Sequence, residues 1–554
     1  MKVYEAVAES LLAHGVSTVY ALMTSDTMSM LGLLKSKGID IVRARTEYGA
    51  VCMADGHARE TGELGVVALG AGPSAAMVGT SLVTALRRRS PLVVIAADAP
   101  STQRHHLKRF EQHRFFELCA GHCLSMVRTD TVVQDTFEVL RRARSGQGPA
   151  VLNVPVDLLE GDVEFRVVEA DWRFLSPAVE VEAPRPAPGA IRAAVDALAA
   201  ARRPLVIVGR GVDRTTCRGI LLDIGDRVGA LYGSSLQGQY FFDSPYDVGV
   251  VGTVGLSSAA RAMTEADCAL VVGAALNAYT SGHGQFLSSA RIIHIDRRRE
   301  VFGASIPVDV AICADAASAL GAIRDGLAAA GVTSRPGFRD AQTVSAIAED
   351  FAALTTYRSD TPALDPRFAL DVIGRGLPSP RRLVLDAGHF AFFAVDHLRC
   401  ASPRERVWTG DFASIGLGVP VGIGVAKAAA GCPTVVVVGD DGFAMSLPEL
   451  DTAVRHRLPI TFVVIDDEAY GAEVRYLENR HEPDELARFD SPDFVTIAQG
   501  YGCDAVLVRT PAEVEAVARR IGRSDRPLVV QIKVDPTVAN RVFKGRTRSA
   551  AAAD

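Results

Sequence analysis

The sequence predicts an α/β protein built from three doubly wound, parallel-sheet domains. Apolar β-branched runs such as GVVAL, PLVVIAAD, PLVIVG, CALVVG, RIIHID, RRLVLD, PTVVVVGD, ITFVVID and PLVVQIKV alternate with helical patterns. That alternation is the mark of parallel strands covered by helices on both faces. A chain of 554 residues also holds several domains of ordinary size. Two stretches break the rhythm: the Pro-rich SPAVEVEAPRPAPGA at 176–190 reads as a linker, and 332–366, around one short helical pattern, reads as a second connection. The expected domains are therefore 1–175, 188–332 and 362–554.

Composition narrows the function. With 48% hydrophobic and 22% charged residues the chain is an ordinary globular protein, and a net charge of −6 gives no general attraction to nucleic acid or anionic membranes. The clusters Arg87-Arg88-Arg89 and Arg297-Arg298-Arg299 read as solvated patches. The opening MKVYEAVAESLLAHGV carries Glu5 and Glu9 among its apolar residues, unlike a secretory signal, and no run reaches the roughly 20 apolar residues of a membrane span. The expectation is a cytoplasmic protein with no membrane or nucleic-acid partner.

Nine scattered cysteines, several in apolar runs (Cys52, Cys268, Cys313), read as buried free thiols. Cys119, His122 and Cys123 lack the second pair that would complete a four-ligand metal site. In the middle region Gly209-x-Gly211 follows a strand, but Arg214 stands where a dinucleotide fingerprint needs its third glycine, so a structural turn is expected.

The stretch VVVVGDDGFAMSLPEL poses an electrostatic question. Val435 to Val438 form a buried strand that runs into Gly439, Asp440, Asp441 and Gly442, while ITFVVIDDEAYG ends the next apolar run in Asp466 and Asp467. Paired carboxylates repel each other and resist burial unless a cation joins them. Asp440 sits at the carboxyl end of a parallel strand, where open α/β sheets place ligands. The helical character of SLPELDTAVRHR adds amides suited to phosphate oxygens. Asp467, 27 residues on, is one helix and one strand away, which returns it to the neighbouring strand tip. A hard divalent cation such as magnesium or calcium takes oxygen ligands of this kind together with phosphates.

The run from Gly439 to Gly471 resembles the metal and diphosphate motif of thiamine diphosphate (ThDP) dependent enzymes, which opens Gly-Asp-Gly and closes in Asn-Asn. The resemblance implies that Asp440, Asp467 and the carbonyl of Ala469 hold Mg2+, Ca2+ or Mn2+, and that Gly439, Asp441, Gly442, Tyr470 and Gly471 belong to the cofactor site. Three departures stand out: Asp441 replaces a glycine, Gly442 comes one place late, and Asp466-Asp467 replace Asn-Asn. An Asp at 467 still offers an oxygen ligand but adds a negative charge beside the diphosphate, which implies a steeper dependence on divalent metal.

The rest of the chain is similar to the same family. In IVRARTEYGAVCMADGHARETG, Glu47 matches the glutamate that hydrogen-bonds the pyrimidine N1′ and drives proton removal from the thiazolium. In WTGDFASIGLGVPVG, Ile415 matches the residue that props the cofactor into its V shape, and the Ala413 carbonyl the acceptor of its 4′-amino group. LVLDAGHF places Gly388, His389 and Phe390 near the phosphates. The three domains become pyrimidine-binding, central Rossmann-like and diphosphate-binding. The resemblance implies active sites between subunits, and so a homodimer or homotetramer.

His105-His106 and Glu473 resemble the catalytic His pair and Glu of the pyruvate decarboxylase branch, whereas the overall pattern is closer to acetolactate synthase-like members. The Phe-Gln-Glu segment of those members reads here as Phe110-Glu111-Gln112. The resemblance implies decarboxylation of a 2-oxo acid and ligation of the resulting enamine to a second carbonyl compound. Aldehyde release, a cofactor-free paralogue and an acyl-CoA lyase stay open; for the last, Lys544, Arg546 and Arg548 are the candidate phosphate contacts. A flavin (FAD) in the central domain, which some relatives carry, stays open but is not indicated by the glycines there.

Overall fold

The computed structural model describes residues 1–163, 184–357, 361–429 and 431–543. Residues 176–183 of the expected linker and the tail with Lys544, Arg546 and Arg548 lie outside the described residues. The described chain forms three six-stranded sheets flanked by helices. It divides into two compact units: Met1–Val179 with Ser359–Leu398 and Val407–Asp554, and Glu180–Arg358 with Arg399–Arg406.

In the first unit, one sheet comprises β1 (Thr18–Ala21), β2 (Asp40–Arg43), β3 (Gly65–Leu69), β4 (Leu92–Asp98), β5 (Cys123–Ser125) and β6 (Ala150–Pro155), in the order β2-β1-β3-β4-β6-β5, all pairs parallel. In the second unit a sheet of β7 (Pro204–Val208), β8 (Leu231–Ser234), β9 (Asp247–Val250), β10 (Cys268–Val272), β11 (Arg291–Asp296) and β12 (Val310–Cys313) has the order β12-β11-β10-β7-β8-β9. The first unit's other sheet comprises β13 (Arg382–Leu385), β14 (Arg406–Trp408), β15 (Thr434–Gly439), β16 (Ile460–Asp466), β17 (Asp504–Val508) and β18 (Leu528–Lys533), in the order β14-β13-β15-β16-β18-β17. The first and third sheets thus repeat one strand order, while the second has the doubly wound order in which the direction of winding reverses between β7 and β10.

The central strands form because their β-branched residues are covered on both faces. Every residue of β3 and β16 is buried, as are Val435 to Val438 of β15, and each fully buried Val, Leu, Ile or Phe among them contributes roughly 1.5–3 kcal/mol. One core joins the two sheets of the first unit, with Val67 and Val94 in the same cluster as Val436 and Phe462.

Two helices fix that junction. The helix Glu47–Thr61 is capped by Thr46, whose hydroxyl accepts from the Gly49 N–H, and ends on left-handed Gly62. It crosses the helix Gly418–Ala428 at Gly56 and Gly424, where a Cβ on Gly56 would strike the Val421 carbonyl and one on Gly424 the Met53 carbonyl. Only glycine permits backbones this close.

The helical stretch expected in SLPELDTAVRHR is present, as a 3-10 turn at Leu447–Glu449 that runs into the short helix Leu450–Arg455, and a five-residue helix, Asp440–Ala444, precedes it and starts at the aspartate itself. Two expectations need correction. The stretch expected as a second connection carries a fourteen-residue helix, Ala341–Leu354, whose Ile347 packs into the core of the second unit with Phe338. Cys313 is half-buried, whereas Cys52 and Cys268 are buried as expected.

The Gly209 turn is structural, since a Cβ there would strike Gly273 and Ala274. Among the described residues no helix is long and apolar enough to cross a membrane.

Candidate active site

Strands β15 and β16 pair in parallel with Gly439 opposite Ile465, so the residues that follow each strand emerge together. Asp440 is 3% exposed. Its Oδ2 accepts from the Glu468 N–H and the Ser491 hydroxyl, both at 2.9 Å, and its Oδ1 accepts from the Asp441 N–H at 2.9 Å. Burial, then the charges of Asp467 and Asp466, holds the Asp440 carboxyl well above the usual carboxylate range. Burial and Asp466 push Asp467 up as well. A pair of carboxyls in this state shares too much negative charge for a buried site and favours either a proton or a cation.

The turn after β16 is shaped around this pair. Glu468 adopts a left-handed backbone at φ 54°, a conformation that costs a non-glycine residue free energy and collects at functional sites. A Cβ on Gly471 would lie 2.8 Å from Asp467 Oδ2 and 3.2 Å from His389 Nδ1, so glycine lets the two approach. Tyr470 donates its hydroxyl to Asp441 Oδ1 at 3.4 Å, and Ala469 is buried beside it. Gly442, the late glycine, is required for a separate reason: a Cβ there would lie 2.8 Å from Asp386 Oδ2 and 3.3 Å from the Gly416 nitrogen. Phe390 packs its ring over both Gly439 and Gly388.

Asp466 behaves differently from its neighbour. It pairs with Lys533 Nζ at 3.0 Å and accepts from Gln531 Nε2 at 2.6 Å. The missing cation expected for the whole acidic set is therefore, for Asp466, a lysine of the chain itself.

His389 is 4% exposed, and its Nε2 accepts from the Asn540 N–H at 2.9 Å, which leaves the ring proton on Nδ1. Burial, helped by Arg475, lowers this imidazole to about 3, so it is neutral. Nδ1 is buried with no hydrogen-bond partner among the described residues. An orphaned N–H beside Gly471 and Asp467 suits an anionic oxygen.

The loop of Ala413 and Ile415 hangs on Asp386. This buried carboxylate accepts from the Gly416 N–H at 2.7 Å, the Gly418 N–H at 3.0 Å and the Thr409 hydroxyl at 2.8 Å, and burial raises its pKa. Ala413 is held left-handed at φ 56°, and Ile415 is half-buried. Arg59, from the Gly-x-Ala-Arg segment, reaches the Trp408 carbonyl at 2.6 Å and pairs with Asp55 and Asp411, which ties down the start of the same loop.

Glu47 begins its helix half-buried and accepts from the Ser74 hydroxyl at 2.8 Å. Its neighbours anchor to the third sheet's segment: Tyr48 donates to the Met445 carbonyl at 2.8 Å, and Thr46 donates to Glu449. His105 is exposed, and His106 Nδ1 accepts from the Lys108 N–H at 3.2 Å in the loop after β4, whose Lys108 pairs with Asp26. Glu473 is exposed in the first turn of Gly471–Glu478. Gln112 is buried and donates to the Ala97 carbonyl and Asn153 while accepting from the Gly72 N–H, whereas Glu111 is exposed. Among the described residues no hydrogen bond or ion pair joins Glu47, His105, His106 or Glu473 to Asp440 or Asp467. No cluster of three or more His, Cys, Asp or Glu side chains forms a metal cage among them.

The structure therefore brings together Asp440, Asp441, Asp467, Tyr470, Gly471, His389 and Gly439, and sets Glu47 at the head of the helix that follows β2 of the other sheet in the same unit. Asp386, Glu449 and Lys533 escaped the sequence reading. Asp386 alone had a visible signal, an acid ending the apolar run LVLD.

Strand tips that carry paired carboxylates, a glycine-lined turn and an orphaned donor define a cofactor-binding α/β enzyme. Residues 1–119 match the description "Thiamine pyrophosphate enzyme, N-terminal TPP binding domain", 191–323 its central domain and 386–532 its C-terminal TPP binding domain. The chain belongs to the thiamine pyrophosphate enzyme family, as a lyase or transferase that depends on this cofactor. It is 24% identical to a probable acetolactate synthase large subunit of Methanocaldococcus jannaschii, over 97% of this chain and 93% of that protein. It is 27% identical to a sulfoacetaldehyde acetyltransferase of Castellaniella defragrans, over 91% and 88%. It is 26% identical to the acetolactate synthase isozyme 3 large subunit of Escherichia coli, over 96% and 94%.

Proposed function

We propose that this protein uses thiamine diphosphate and a divalent metal, Mg2+ in the first instance, to decarboxylate a 2-oxo acid and to join the product to a second carbonyl compound. The observation that carries the reading is the Asp440 and Asp467 pair, two carboxyls at adjacent strand tips whose ionised forms are disfavoured until a cation joins them. Bound there, the cofactor supplies carbanion chemistry.

In this reading Asp440, Asp467 and the Ala469 carbonyl hold the metal. Gly439, Gly442, Gly388 and Gly471 admit the diphosphate, His389 donates Nδ1–H to it, and Asp441 and Tyr470 line its edge. Glu47 holds the proton at the pyrimidine nitrogen, while Ala413 and Ile415 orient the ring. His105, His106 and Glu473 move protons at the substrate, each from an exposed or half-exposed position that a partner subunit would cover. The active site then lies between subunits of at least a homodimer.

The test is to incubate the purified protein with ThDP, Mg2+ and a panel of 2-oxo acids, following carbon dioxide and condensed products together. Carbon dioxide with a ligated product supports the reading. Carbon dioxide with free aldehyde alone replaces ligation by simple decarboxylation, and no uptake of ThDP overturns the cofactor role.

A further inference from the structure

The first position of the acidic doublet is where the family pattern has an uncharged residue, and this chain answers it from another strand. Strands β16 and β18 pair in parallel with Asp466 opposite Lys533. Gln531, two residues earlier and so on the same face of β18, donates to Asp466 Oδ2 at 2.6 Å, while Lys533 Nζ lies 3.0 Å from that oxygen. The Asp466 side chain is 0% exposed and that of Lys533 20% exposed. Lys533 also pairs with Glu468 at 2.5 Å, a side chain 50% exposed.

We propose that Lys533 is the built-in counter-ion of Asp466, and that this pair acts as a positioning device that leaves Asp440 and Asp467 alone to take the divalent metal. The inference rests on the metal and cofactor reading above and adds the residue that makes a third aspartate tolerable. Asp440, Asp466 and Asp467 carry three negative charges when ionised, and Lys533, shared between the buried Asp466 and the exposed Glu468, offsets part of that charge at Asp466. Without the ammonium, an uncompensated buried carboxylate stands beside the site of an anionic diphosphate, and like charges at such range in a low-dielectric interior repel strongly. An asparagine at 466 carries no charge and would need no ammonium partner at 533.

This predicts a specific double-mutant cycle. ThDP binding is measured by calorimetry at saturating Mg2+, and the melting temperature of the cofactor-free protein is measured alongside. Lys533→Met should weaken ThDP binding at least tenfold. Asp466→Asn in the same chain should restore it to within about threefold of the parent, and Lys533→Arg should retain binding. Pairing Lys533→Met with Glu468→Gln instead should not restore it.

Unchanged binding in Lys533→Met overturns the proposal, as does a loss that Asp466→Asn leaves in place or that Glu468→Gln repairs. If the parent protein takes up no ThDP, the cofactor reading fails. The inference is then decided by the cofactor-free melting temperatures: a Lys533→Met loss repaired by Asp466→Asn keeps the counter-ion pair, and independent losses remove it.

Discussion

Glu449 accepts hydrogen bonds from both the backbone N–H and the hydroxyl of Thr46, at 2.9 and 2.7 Å, across a separation of 403 residues. The same carboxylate accepts from the Arg45 N–H at 3.2 Å and the Thr452 hydroxyl at 2.8 Å, and it is 0% exposed. One buried acid thus holds the turn that launches the Glu47 helix.

Glu449→Ala leaves those donors unsatisfied and is expected to cost about 3 kcal/mol or more. Glu449→Gln keeps one acceptor oxygen and should cost less. Denaturant unfolding of both variants checks the order, and equal stability of parent and alanine variant would remove the anchoring role.

Asp467→Asn keeps an oxygen ligand and removes one negative charge beside the diphosphate. The expected outcome is cofactor retention at lower Mg2+ than the parent requires, read from ThDP binding across a Mg2+ titration. Weaker retention at low Mg2+ would show that the carboxylate is needed as such. Asp440→Asn, which disturbs a buried residue holding the Glu468 amide, should lose retention at every Mg2+ concentration.

In the second unit, burial pushes the Asp247 carboxyl up to about 7, with Asp243 adding to the shift and the Gly249 N–H at 2.9 Å opposing it. A carboxyl whose folded pKa exceeds its unfolded value of 3.8 stabilises the fold fully only below that value, and the contribution is lost as pH rises through about 7. Asp247→Asn does not titrate. Its stability advantage over the parent should therefore grow from about pH 4 to pH 7 and then level off, reaching about 1–2 kcal/mol after solvent screening. A constant difference across that range would contradict the shift.

Burial pushes the thiols of Cys119, Cys123, Cys268 and Cys503 up to about 12, and Cys313 and Cys432 alone are half-buried. A native-state titration with Ellman's reagent should label Cys313 and Cys432 first and leave the other seven until unfolding. Fast modification of Cys119 or Cys123 would contradict their burial.

The legible parts of the fold are those with local signals. VVVVG and ITFVVID declare buried parallel strands because every side chain is covered, and the acids at their ends mark the ligand edge. The three-residue edge strands β5 and β14 were hidden, being too short for any periodicity. The roles of Glu449 and Lys533 were hidden for another reason: their partners are Thr46 and Asp466, set by domain packing and strand register rather than by neighbours in the chain. Gly442 was readable as a displaced motif glycine, but its reason, the closeness of Asp386 and Gly416, exists only in three dimensions.

The central claim is that Glu47 works a proton through a cofactor held by Asp440 and Asp467. It is tested most directly by Glu47→Gln, with ThDP binding and carbon dioxide release from a responsive 2-oxo acid measured on the same preparation. The account predicts binding within about tenfold of the parent and carbon dioxide release lowered at least 100-fold, the usual scale for a lost general acid or base. Full carbon dioxide release by that variant would contradict it.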